Sequence, residues 1–167
     1  MTRTANKSRR AQPREVRREQ LIQATIKCIA RHGLSGVTMG RVTKEAGLSM
    51  GIANLHFESK EKLLLDTLRL VTEEYAAGQT EILSDEDYPS TAARLEALLE
   101  FDFSQTVGDK NKLAVWFAFL GEAKSRPTYQ RICSSQDSVA EETISALFQL
   151  ALDEAGDKTA DAGLLAA

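Results

Sequence analysis

Two cysteines, two histidines, three prolines and one tryptophan in 167 residues leave little material for several kinds of protein. Cys28 and Cys133 have no C-x-x-C spacing and sit among apolar helical neighbours. They read as small buried thiols, which excludes a disulfide scaffold and leaves no metal site to expect. No stretch approaches the roughly 18 to 20 consecutive apolar residues that a membrane span needs. The polar, basic N-terminus also lacks the apolar core of a secretory signal, so a cytoplasmic protein without membrane contact is expected. No cofactor is expected either. The hydrophobic content of 43% suffices for a real core.

The formal net charge of −3 hides a division. Residues 1–62 hold 13 Lys and Arg against 5 Asp and Glu, a charge of +8, whereas residues 63–167 hold 8 against 19, a charge of −11. A basic head on an acidic body fits a head that meets a polyanion and a body that keeps the molecule soluble and does something else. A solvated charged surface with a basic tail fits the same composition.

Apolar periodicity predicts an all-α chain. After a basic arm over 1–13, read as disordered, Val16, Leu21, Ile22, Ile26 and Ile29 recur at helical spacing from Arg14 to His32, and Gly33 ends that run. Thr38 caps a short helix to Ala46, Gly47 turns, and Ser49 caps a third helix to about His56, with Leu48, Ile52 and Leu55 assigned to the core. A fourth helix spans Lys60 to about Leu83. An acidic loop, Ser84 to Ser90, precedes a fifth over about Thr91 to Val107. Lys112 to Ala123 is apolar nearly all round, as in a helix buried within a bundle. Pro127 starts a seventh that stops at Gly156, and an eighth begins at Thr159.

Residues 47 to 51, GLSMG, fit the G-x-S-x-G pattern of a hydrolase nucleophile. That motif needs a strand before the serine, yet nine residues of helical pattern precede Gly47, and no histidine follows His56 to serve as base. No catalytic residue is therefore assigned. Helix, glycine turn and a helix capped by Ser49 make instead a helix-turn-helix. On the third helix Met50, Gly51, Ala53 and Asn54 are expected to lie opposite the core. This small face suits a major groove about 12 Å wide, where Asn54 pairs with adenine and Met50 or Ala53 touches a thymine methyl. Thr38, Ser49 with the amides of its helix start, and Lys60 suit phosphates. Arg9, Arg10, Arg14, Arg17 and Arg18 add salt-dependent attraction or minor-groove contacts. Each cap serine or threonine, taken alone, would also serve as a cap in any protein.

The segment from Leu21 to Leu64, with Gly33, Thr38, Ala46-Gly47-Leu48-Ser49, Gly51, Phe57 and Lys60-Glu61 in order, resembles the DNA-binding domain of the tetracycline-repressor (TetR) family of bacterial transcription regulators. The resemblance implies that Thr38, Ser49, Met50, Asn54 and Lys60 lie near DNA. Where that family usually has aromatic residues near the end of the recognition helix, this chain has Leu55 and His56, leaving His56 as a candidate donor from a ring nitrogen. Phe101 to Val107 and Ala114 to Ile132 look similar to the choline-responsive betaine-pathway regulators within the family. The family arrangement implies residues 14–59 as the helix-turn-helix domain and 60–167 as a ligand-binding and dimerisation bundle. It also implies a homodimer paired through the last two helices. This chain reaches only the start of the first of those, one to two helices short.

The resemblance places a small-molecule effector among helices four to seven, where Phe101, Phe103, Trp116, Phe117, Phe119 and Tyr129 supply most of the aromatic surface. Asp102 interrupts the apolar stripe of Leu95, Leu98, Leu99 and Phe103, and a carboxylate beside aromatic walls suits a quaternary ammonium. Asp102 facing solvent, or pairing with Lys112 or Arg126, is the plainer alternative, and any of the aromatics can be core. The implied mechanism is repression: a dimer on a palindromic double-stranded DNA operator at the nucleoid, released by the effector. A helix-turn-helix protein without ligand response and a small helical enzyme using Asp85 to Asp87 are the rivals.

Overall fold

Helix α1 (Arg14–His32) shows why this chain folds as it does: Leu21, Ile22, Thr25, Ile26, Cys28 and Ile29 form one buried face, while its charged residues stay outside. The computed structural model describes residues 13–157 and 160–166, without the side chains of 135–140, 164 and 166. The expected basic arm, Arg9 and Arg10 included, lies outside the described residues except for Pro13. Eight helices and no strand occur among the described residues, and none of these helices is long and apolar enough to cross a membrane.

Helix α2 (Met39–Ala46) begins where the Thr38 hydroxyl oxygen accepts the Arg41 N–H at 3.2 Å. It ends at Gly47, whose φ of 66° is open to glycine at little cost. Helix α3 (Met50–His56) follows two residues later, its first turn capped by Ser49, and Phe57 closes it with an N–H donated to the Ala53 carbonyl at 2.9 Å. α1 and α2 pack together and α3 rests on both, which is the expected helix-turn-helix.

Helix α4 (Lys60–Ser84) starts under a third hydroxyl cap, Ser59 accepting from Lys62 N–H at 3.1 Å, and runs 25 residues from the head into the body. Helix α5 (Thr91–Asp102), helix α6 (Lys110–Ala123), helix α7 (Pro127–Ala155) and helix α8 (Ala162–Ala166) complete the chain. One apolar cluster runs through both parts: Leu21, Ile29 and Phe57 of the head share it with Val115, Phe119, Tyr129 and Cys133. α1 packs directly on α6.

Several boundaries differ from expectation. α5 stops at Asp102 rather than Val107, because the chain turns at Phe103 and Gly108 N–H closes onto the Ser104 carbonyl at 2.8 Å. α6 begins at Lys110 because Asp109 Oδ1 accepts the amides of Asn111 and Lys112 at 2.9 and 3.0 Å. α8 begins at Ala162, and the start expected at Thr159 lies outside the described residues. α6 is also not buried all round: Leu113, Phe117 and Leu120, at helical spacing, are 37%, 64% and 42% exposed. Its neighbours α1, α4 and α7 cover only the side carrying Val115 and Phe119.

Candidate nucleic-acid interface and ligand cavity

The short helix α3 presents Met50, Gly51, Asn54 and Leu55 to solvent. Ile52 and His56 are half-buried and Ala53 is fully buried. Two sequence expectations change here. Ala53 cannot face a groove, since positions three and four after Ser49 turn inward together. Leu55, assigned to the core, is 73% exposed. Helical phase decides both: once Ile52, Ala53 and His56 point inward, residue 55 is carried round to the side of Gly51.

Thr38, Ser49 and Lys60 are exposed at the starts of α2, α3 and α4. The two hydroxyl oxygens serve as caps, Ser49 accepting from Ile52 N–H at 3.3 Å. Their own O–H groups remain available to donate, so cap and phosphate ligand are compatible roles. Ser49 follows a helix, which rules out the strand-to-helix elbow of a nucleophile. His56 sits near the start of α1. Burial, and then the charges of Arg14 and Arg17, hold its imidazole below the usual 6.5, and its buried Nδ1 finds no hydrogen-bond partner among the described residues.

Arg18 is committed elsewhere. Its guanidinium lies 2.7 Å from the Asp66 carboxylate on α4 and stacks over the Phe57 ring with 5.4 Å to the centroid. Lys62 and Arg69 reach the same carboxylate at 2.9 and 3.3 Å. Burial alone would raise the Asp66 carboxyl, but hydrogen bonds from Lys62 and Arg18 outweigh it and hold it below the ordinary carboxylate range. Asp66 was not among the residues expected to matter. Its signal was an acid between Leu64 and Leu68 with cations three and four residues away.

In the body a cavity of about 380 Å³ opens between α4, α5, α6 and the turn after Asp102. Tyr75, Phe101, Trp116 and Phe117 form its aromatic walls, Val71, Val107 and Leu113 its aliphatic ones. Tyr75 stacks on Phe101 at 5.8 Å between centroids. Asp102 and Glu74 line it against one ammonium, Lys112, which pairs with Glu74 at 2.6 Å. Asp102 therefore pairs with neither Lys112 nor Arg126. Arg126 is held by Glu122 and Glu61 at 3.0 and 3.5 Å, and Asp102 accepts the Tyr75 hydroxyl proton at 2.8 Å. Burial, then that bond to Asp102, pushes the Tyr75 phenol well above its usual range, so it remains a donor.

Of the residues expected to bind an effector, the cavity brings together Asp102 and Trp116. Three others are corrected. Phe103 is 89% exposed, because α5 ends before it and the chain turns it outward. Phe119 and Tyr129 are core: both are fully buried and meet edge to face at 4.7 Å. Tyr75, Glu74 and Val71 also belong to the cavity, and helical spacing along α4 did not single them out. Periodicity finds the inward face of a helix but not whether a void lies behind it. Among the described residues no group of three His, Cys, Asp or Glu could hold a metal ion.

Known proteins match this arrangement along nearly the whole chain. Residues 21–67 match the family model of bacterial regulatory proteins of the tetR family. Residues 89–167 match that of the BetI-type transcriptional repressor C-terminal region. The HTH-type transcriptional regulator BetI of Burkholderia thailandensis is 34% identical over 154 residues, which span 92% of this chain and 78% of the relative. BetI of Paraburkholderia phymatum is 33% identical over the same shares. A transcriptional regulator of Pseudomonas aeruginosa superposes with a TM-score of 0.77 at 28% identity, covering 93% of this chain and 74% of its own. A regulator of Saccharomonospora viridis, solved in complex with choline, shares the fold at a TM-score of 0.79 and 22% identity, covering 91% and 78%. The outward helix after a glycine turn and the two family matches agree, and the relatives are regulators rather than enzymes: the chain belongs to the tetR family of bacterial transcriptional regulators, with a BetI-type repressor body.

Proposed function

We propose that this regulator represses by setting α3 into the major groove of a palindromic operator, as a homodimer, and leaves it when a small organic cation enters the body cavity. The observation that carries the reading is the outward side of α3, which presents Met50, Gly51, Asn54 and Leu55 to solvent with exposed Thr38, Ser49 and Lys60 flanking it. Residues 14–59 act as the reading domain, with Asn54 and Met50 on base edges, Gly51 admitting close approach, and Thr38, Ser49, His56, Lys60, Arg14 and Arg17 on phosphates. Residues 60–167 act as effector and dimer domain in the cytoplasm, at the nucleoid.

The effector class follows from the cavity's chemistry. Two carboxylates outnumber one ammonium, and four aromatic rings surround them, a setting in which a quaternary ammonium gains about 1 to 2 kcal/mol per desolvated cation–π contact. Choline, which the Saccharomonospora regulator of the same fold holds, is the probe of choice. Recognition helices of a dimer sit about 34 to 36 Å apart on successive grooves. A ligand favouring another spacing weakens DNA binding tenfold for each ~1.4 kcal/mol of differential affinity.

Two measurements test the reading. Selection of bound duplexes from a random pool should return a palindrome. Calorimetry with choline should show binding that Asp102→Asn weakens at least tenfold. A non-palindromic consensus contradicts the dimer, and an unchanged affinity in the variant contradicts the site.

A further inference from the structure

Leu55 stands out on the described surface. At 73% exposure it is surpassed among large hydrophobic side chains only by Phe103, and it lies on the one helix whose outward side is otherwise Met50, Gly51 and Asn54. A single exposed leucine elsewhere on a protein means little. Here its surroundings are specific. A long side chain on a helix leans back over the turn before it, so Leu55 lies toward Gly51, four residues earlier. Gly51 has no side chain, and a Cβ there would meet nothing nearer than Ser49 Oγ at 3.9 Å. The backbone of α3 can thus sit deep in a groove with the Leu55 methyls reaching past it, beside the amide of Asn54.

Base edges in the major groove carry hydrogen-bond donors and acceptors with one apolar exception, the C5 methyl of thymine. We infer that Leu55 is a specificity-determining residue of this regulator that reads a thymine methyl in the operator, in the place the buried Ala53 cannot take. The inference rests on α3 being the DNA-reading helix, and it fixes a preference that helix-turn-helix geometry alone leaves open. Asn54 next to it suits adenine, so the adjacent pair favours A·T base pairs where the two side chains reach.

The test uses the full chain and the duplex it selects from a random pool, with each thymine replaced in turn by uracil, which removes only the methyl. Wild type should lose about fourfold in affinity at one such position, the worth of one buried methyl group. Leu55→Ala should bind the thymine and uracil duplexes equally there. Leu99→Ala, an exposed leucine on α5 away from α3, should keep the wild-type sensitivity at that position. The inference is overturned if wild type is indifferent to every replacement, if Leu55→Ala retains the loss, or if Leu99→Ala abolishes it too, which would indicate general loosening. A chain that selects no preferred duplex overturns the DNA-reading assignment as well, so the two failures are distinct.

Discussion

Asp66 and His56 carry charge states that the surrounding residues decide, and each makes a prediction. Asp66 is 8% exposed with three cations around it. Because its folded carboxyl is held below the ordinary 3.8, the stability it contributes is present above about pH 4 and lost as pH falls through the folded value. Asp66→Asn should lower unfolding stability at neutral pH by about 1 to 3 kcal/mol, since the half-exposed partners can rehydrate. It should also flatten the acid limb of a urea-unfolding series.

His56 runs the same way for a different reason. Its imidazole is held below 6.5 in the free protein, so the fold contribution is complete above about 6.5 and lost as pH falls below it. The phosphate proposed to lie beside it would favour the protonated ring. Operator affinity should therefore rise as pH drops from about 8 to about 6 in wild type and stay flat in His56→Gln, as titration by fluorescence anisotropy would show. The caps at Thr38 and Ser49 and the exposure of Asn54 and Lys60 were legible in the sequence because caps and loop neighbours are local facts. Asp66, Leu55 and Tyr75 were not, because each is defined by what stands on another element or by the phase of a helix only seven residues long.

Among the elements, α2, α3 and α4 each begin with a hydroxyl cap, and the turn between the first two depends on Gly47. Its left-handed φ of 66° makes Gly47→Ala costly by about 1 to 2 kcal/mol, measurable by urea unfolding. Further along α4, Gly78 admits the Phe101 ring: a Cβ there would overlap the ring's Cζ. Gly78→Ala should cost about 1 to 3 kcal/mol through the forced shift of that ring. It should also weaken choline binding, because Phe101 and its stacking partner Tyr75 wall the cavity. A variant that binds choline as wild type does would show that the cavity ignores the α4–α5 spacing. The apolar sequence of α6 predicted burial on all sides. The fold covers one side only, because hydropathy counts apolar groups and not the neighbours available to meet them.

For the whole molecule, α4 carries both Lys60 at its exposed start and Val71, Glu74 and Tyr75 in the cavity. In the proposed mechanism effector and operator are thus joined through α4 and through the apolar core that α1 shares with α6. The charge division between the first 62 residues and the remainder predicts steeply salt-dependent DNA binding. Lys60→Ala should weaken all sequences alike and reduce the slope of log affinity against log salt by about one, whereas Asn54→Ala should relax base preference and leave the slope nearly unchanged. Equal loss of preference in both variants would contradict the assignment of those two residues.

The amino-acid sequence by itself determined the helices, the caps at Thr38 and Ser49, the turn at Gly47 and the family, because periodicity, capping and turn chemistry act over a few residues. Tertiary structure alone decided that Leu55 faces outward, that Phe119 and Tyr129 fill core rather than cavity, and that Arg18 closes on Asp66 across 48 positions. Those outcomes depend on which helical faces meet. The order of residues in one element does not contain the surface that another element brings to it.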